Sequence, residues 1–232
     1  MLSAMNSYLE KGFKLAFVGG AGTGKTTIAR LSSYALRTNL FEAGEWQRKM
    51  AGDRQVETNP QAVKLENDRL VDGKMIELLT QTEESWVFHG RTPRLLAEQL
   101  IKENKLNRYK FLMAAVECRP WVRAARGLNK FREKYDPKAE QVDVLKYHNE
   151  RDKADFERFK ELYKESHELK RSGYLVDINN EFTRGFPLSS DMLKPKDELL
   201  MVLFVLHNFK HISDTGFALA FMRGLAYSPK KD

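Results

Sequence analysis

One stretch constrains this chain more than any other. Gly19-Gly20-Ala21-Gly22-Thr23-Gly24-Lys25-Thr26 is a complete G-x-x-x-x-G-K-[ST] pattern. Polyphosphate is wrapped by converging backbone N–H groups, and these converge only where side chains are absent. Gly19, Gly22 and Gly24 supply loop conformations closed to other residues. Lys25 is placed to bring an ammonium to the β and γ phosphates, and the Thr26 hydroxyl to join the shell of a Mg²⁺ ion. Thr27 follows at the start of a helix whose positive end faces the same anion. The flanks agree with the motif. Phe13 to Val18 is a short apolar run suited to a buried strand, and Ile28, Leu31 and Ala35 have helical spacing. The loop implies a bound nucleoside triphosphate with Mg²⁺ and leaves open what is done with it.

The rest of the chain bounds the answer. At 232 residues it fits one α/β domain with an inserted flap. The formal charge of +7 favours anionic ligands, but both signs are interspersed along the chain. That pattern suits a small anionic substrate better than nucleic acid. Cys118 is the single cysteine, so no intrachain disulfide forms, and a reducing compartment is expected. No stretch reaches the length of a membrane span, and Met1 to Lys11 lacks the apolar centre of a signal peptide. A cytoplasmic protein with no membrane partner is the expectation; oligomeric state is not readable.

Periodicity places further elements. A second strand is expected at Thr38 to Phe41, a helix from Ala43 to Met50, and an amphipathic helix over Val63 to Leu79. Asn59-Pro60 reads as a turn. Strands are expected at Ser85 to His89, Arg108 to Ala115 and Tyr174 to Ile178. Helices are expected at Pro93 to Lys102 and Arg119 to Phe131, the latter with Trp121 and Val122 inward. Arg132 to Arg171 reads as two exposed helices hinged near Pro137. Lys194 to Phe209 reads as a buried helix and Phe217 to Tyr227 as another. Strands alternating with helices argue a parallel sheet covered on both faces.

Transferring a phosphoryl group requires cations from several directions and exclusion of water. Arg48, Arg91, Arg123, Arg126, Arg151 and Arg158 fall at expected element ends. Arg91, following a strand and Gly90, belongs over the carboxyl edge of the sheet, where ligands bind in such folds. Arginine suits the task because its fork holds two phosphate oxygens. Spacing alone also allows Arg151, Asp152, Asp155 and Arg158 to form only surface pairs along one helix.

From Lys14 to Ile178 the chain resembles the cytidylate kinase-like branch of the nucleoside monophosphate kinases. The phosphate loop continues into Thr27-Ile28-Ala29-Arg30 as in that family. Ala43-Gly44-Glu45 followed by Arg48 is similar to its S-A-G-E-x-F-R segment, and Gly90-Arg91 to its D/E-G-R. Asp68-Arg69 falls in its stretch before the third strand. Val122-Arg123-Ala124-Ala125-Arg126 resembles V-R-A-x-R, and Glu150 to Arg158 resembles E-R-D-x-x-D-x-x-R. The resemblance implies a P-loop fold with NMP-binding and lid insertions. The expected division is a core of 13–131 and 172–232, an NMP-binding region of about 42–84 and a lid of about 132–171; the segment after Ile178 has no counterpart in the family and is expected to complete the core, pack on the sheet or form an oligomer contact. It implies transfer of the ATP γ-phosphate to CMP, dCMP or a related monophosphate. Residues Gly19 to Thr27 would hold ATP, and Gly44, Arg48, Gly90 and Arg91 the acceptor. Lys25, Arg123, Arg126, Arg151 and Arg158 would neutralise the transferring group. His89 stands where the family has an acid, and Gln47 where it has an aromatic residue. A P-loop kinase for another small acceptor, and a nucleic-acid-stimulated ATPase or nucleotide switch, are the alternatives.

Overall fold

The computed structural model describes residues 7–51, 65–163, 184–189 and 194–228. Strand β1 (Lys14–Val18) is buried along its whole length. It leads through the glycine loop into α1 (Lys25–Leu36). There follow β2 (Asn39–Glu42), α2 (Ala43–Ala51), α3 (Leu65–Thr80), β3 (Trp86–Gly90) and α4 (Pro93–Lys102). A short 3-10 turn at Arg108–Lys110 precedes β4 (Phe111–Glu117), so this strand starts later than its sequence suggests. The Asn107 side chain takes the Tyr109 N–H at 2.9 Å and holds that turn. Helices α5 (Pro120–Lys134) and α6 (Gln141–Leu162), strand β5 (Arg184–Ser189), and helices α7 (Pro195–Asn208) and α8 (Asp214–Ala226) complete the described residues.

The five described strands are all parallel, in the order β2-β3-β1-β4-β5. Period-two alternation divides the strands between two cores. Leu15, Phe17, Val87, Leu112 and Ala114 face α1, α7 and α8. Ala16, Val18, Phe88, Phe111 and Met113 face α3 and α4. Both faces are thus covered, which is why the strands read as continuous apolar runs. The α/β architecture expected from the alternation of elements is the one observed.

Several expectations need correction. Trp121 does not turn inward: it is 56% exposed, and α5 instead buries Ala124. In its described part the charged stretch has the break expected near Pro137, but its second helix is docked, not exposed. Its first residues finish α5, Pro137 lies in the turn, and α6 is one 22-residue helix. That helix buries Val144, His148, Asp155 and Phe159, a docked face that aliphatic spacing alone does not reveal. Strand β5 was not anticipated. A proline within Arg184–Ser189 argues against a strand in sequence, yet an outer position tolerates the missing N–H. The strand expected at Tyr174 to Ile178 and the turn at Asn59-Pro60 lie outside the described residues, as does the part of the charged stretch beyond Tyr163.

Candidate active site at the glycine loop

The loops that leave β1, β2 and β3 open onto a cavity of about 570 Å³. Three glycines of the first loop have φ values reserved for glycine: 149° at Gly19, 74° at Gly22 and 96° at Gly24. Close approach reinforces the requirement. A Cβ on Gly19 would lie 2.4 Å from the Val116 carbonyl oxygen, and one on Gly22 would lie 2.7 Å from His148 Cε1. The Thr23 hydroxyl donates to the Gly20 carbonyl at 3.0 Å, and the Lys25 ammonium donates to the same oxygen. Gly24 caps α1 without a side-chain bond, and no acid occupies the first turn. The helix therefore presents its amides to the cavity, which suits an anion. Thr26 and Thr27 stand exposed at the mouth. Burial of its ammonium, then the nearby Arg91, Arg151 and Arg123, pull the Lys25 pKa well below the usual lysine value; Asp152 opposes them. The frustrated cation and the side-chain-free loop fit a polyphosphate, and the Thr26 hydroxyl fits one place in a Mg²⁺ shell.

The expected arginines meet here. Arg48, Arg91, Arg126, Arg151 and Arg158 line the same cavity as Lys25, together with Gly44 and Gly90. Arg123 does not line it. Its Nε donates to the Ala21 carbonyl at 2.7 Å, which clamps α5 to the loop. Arg126 is exposed, with NH1 3.8 Å from Cys118 Sγ.

Carboxylates hold this ring through partners that the motifs do not indicate. Asp152 Oδ2 accepts from Arg123 at 2.7 Å, while its Oδ1 accepts from Arg91 at 3.3 Å and from the Ala21 N–H at 3.4 Å. Asp155 pairs with both Arg91 and Arg158. Arg158 Nε also donates to Asp68 Oδ2 at 3.1 Å, and Gln47 donates to the other oxygen of Asp68 at 2.6 Å. The pairs of α6 are therefore more than local. They reach β3, α3, α5 and the loop. Deeper in, Asp72 accepts from Thr92 at 3.0 Å and from the Tyr163 hydroxyl. Burial raises the Asp72 pKa to about 6 despite these bonds.

His89 is neither alone nor solvated. It pairs in register with Glu42 of β2, and its Nε2 lies 2.7 Å from Glu42 Oε1. Arg30 Nε reaches the same oxygen at 3.1 Å. Burial alone would raise the Glu42 pKa, but the bonds from His89 and Arg30 outweigh it and hold it at about 2. Burial lowers the pKa of His89, so the imidazole is neutral and donates its Nε2–H to the carboxylate. The acid missing at position 89 thus stands one strand away. Cross-strand register could have pointed to Glu42, whereas nothing local in sequence marks Asp68, Asp72 or Asp152 as partners of particular arginines.

The sequence matches no protein-family model and no curated protein. Solved structures of similar fold include a gluconokinase from Sinorhizobium meliloti 1021, at 13% identity and TM-score 0.50, covering 87% of this chain and 99% of that one. A sugar kinase from Janibacter sp. HTCC2649 is 12% identical with TM-score 0.50, covering 88% and 97%. Shikimate kinase from Acinetobacter baumannii, solved with shikimate, is 12% identical with TM-score 0.50, covering 84% and 94%. At such identities the likeness carries the fold alone: a parallel sheet covered by helices, as in those kinases.

Proposed function

We propose that the chain is an ATP-dependent phosphotransferase whose acceptor is a nucleoside monophosphate, CMP, dCMP or a close relative. The supporting observation is the convergence of Lys25, Arg48, Arg91, Arg151 and Arg158 on one cavity beside the glycine loop. These cations come from α1, α2, the end of β3 and α6, so only the folded chain assembles them. In this reading the loop and Lys25 hold the donor phosphates, and Arg48 and Arg91 hold the acceptor phosphate. Arg126, Arg151 and Arg158 neutralise charge on the group in transit, while Arg123 holds α5 on the loop. Mg²⁺, held through Thr26, would screen the donor oxygens. An acceptor phosphate is already anionic near neutral pH, so no side chain needs to remove a proton. Catalysis is then positioning and electrostatics. Helices α5 and α6 act as a lid that excludes water, and α2 with α3 forms the acceptor side.

The carboxylates of the acceptor side favour a second reading. Glu42, Asp68 and Asp72 line the cavity with His89, and carboxylates bind hydroxyl groups well. A hydroxylated acceptor such as a small sugar acid fits that wall. ADP release measured on a panel of ribo- and deoxyribonucleoside monophosphates and small polyols separates the two. Turnover with monophosphates alone supports the first reading. Turnover with polyols alone removes it.

A further inference from the structure

Helix α6 sets His148 directly over the glycine loop. The side chain is 8% exposed and lines the cavity. Its Cε1 lies 2.7 Å from where a Cβ on Gly22 would stand, and 3.4 Å from a Cβ on Gly127 of α5. The imidazole is therefore wedged between two glycines, and a methyl group at Gly22 would force it out. Its Nδ1 is buried and, among the described residues, has no hydrogen-bond partner. Buried polar atoms are almost always satisfied, so such an atom at the edge of a ligand cavity marks a missing partner.

The surroundings indicate the sign of that partner. The loop meets the ring at Gly22. Helix α5 offers Gly127 and Arg123, and the end of β3 offers Arg91. Its own helix offers Val144, Tyr147, Arg151 and Asp152. Three cations thus act on the ring against one carboxylate. Burial first, then Arg123, Arg151 and Arg91, lower its pKa to about 4, with Asp152 opposing. The free protein holds a neutral ring. An anion seated on the loop would cancel the cationic field and offer acceptor oxygens.

We propose that His148 is a further contact residue of the donor site, donating a hydrogen bond to phosphate oxygens held by the glycine loop and taking up a proton as they bind. This rests on the reading of the loop as a polyphosphate site. It adds a residue outside the arginine motifs, and makes nucleotide affinity depend on pH through the protein as well as through the nucleotide. A ring whose bound form holds the proton more tightly strengthens binding as pH falls.

The test is calorimetric binding of Mg·ADP to wild type and His148→Gln between pH 8 and pH 5.5, in two buffers of different ionisation enthalpy. Glutamine keeps a hydrogen-bonding side chain but cannot take the proton. The wild-type to variant affinity ratio should rise toward acid, by up to about tenfold per pH unit, with extra proton uptake in wild type alone. A flat ratio with equal proton uptake overturns the proposal while leaving the loop reading intact. A wild type that binds no nucleotide overturns both. If the variant fails to fold, the wild-type imidazole signals titrated by NMR with and without ADP serve instead. One histidine should titrate higher in the complex, and five unshifted histidines would overturn the proposal.

Discussion

Two helical pairs are held by opposite forces, one on a face of the sheet and the other over the glycine loop. The pair α7–α8 packs on α1 through Leu199, Val202, Leu203, Leu206 and Ala220, all buried with Leu31 and Ala35. A Cβ on Gly224 would lie 2.1 Å from Leu199 Cδ2, so even one methyl group is excluded there. The pair α5–α6 is held by ion pairs and polar bonds: Arg123 and Asp152 bond Ala21 of the glycine loop, Asp152 and Asp155 pair with Arg91, and Arg158 pairs with Asp68. Apolar burial contributes about 25 cal/mol per Å² and has no competitor in solution. Ion pairs behave otherwise, because an arriving phosphate can replace a carboxylate at the same arginine. The first pair is built to stay, and the second to exchange partners.

The sharpest way to break this contrast is Lys25→Ala. Phosphoryl transfer should fall by at least about 10³-fold, or about 4 kcal/mol of transition-state stabilisation, while the thermal midpoint stays near wild type. Full activity would remove the proposed chemistry. Leu203→Ala tests the permanent pair. Denaturant unfolding should show a loss of about 2–5 kcal/mol, with nucleotide affinity of the folded fraction unchanged.

Asp72→Asn sharpens the account of how α6 is tethered, since Asp72 accepts from Tyr163 at its end. The folded pKa of Asp72 is about 6, above its ordinary 3.8. The fold therefore binds more protons than the unfolded chain between these values, and stability is lost as pH rises from about 4 to about 6. The difference of about two units sets an upper limit of about 3 kcal/mol. Unfolding curves across that window should fall for wild type and flatten for the variant. Parallel curves would show that the buried carboxyl is not the source.

Asp152→Asn carries the smallest expected effect and separates the two pairs most directly. Removing the carboxylate that Arg91, Arg123 and the Ala21 N–H now share should tighten Mg·ADP binding by about three- to tenfold, roughly 1 kcal/mol. The free protein should become slightly less stable. Weaker binding would mean that Asp152 orients the arginines for phosphate instead of competing with it.

Much of the glycine loop and its flanks was legible in the sequence. The glycine loop announces itself because its constraints are local: left-handed φ values at Gly22 and Gly24 and one lysine at fixed spacing. Helix α4 falls on the expected Pro93–Lys102 because Pro93 and the apolar spacing both act within a few residues. The acceptor side was less legible. Asp68 and Arg158 are 90 residues apart, and Arg91 and Asp152 are 61 apart. No periodicity connects them. The outward Trp121 and the inward His148 also escaped notice, since amphipathic spacing cannot say which partner a charged helix meets.

By itself the sequence determined a parallel α/β sheet and a glycine loop of the phosphate-binding pattern, because backbone sterics and hydrophobic period are short-range properties of the chain. Only the tertiary structure decided which carboxylate guards which arginine, that Glu42 supplies the acid beside His89, and that His148 lies on Gly22 with its Nδ1 unpartnered among the described residues. Those outcomes depend on burial and on electrostatic fields summed over several elements, and such fields exist only once the elements have packed.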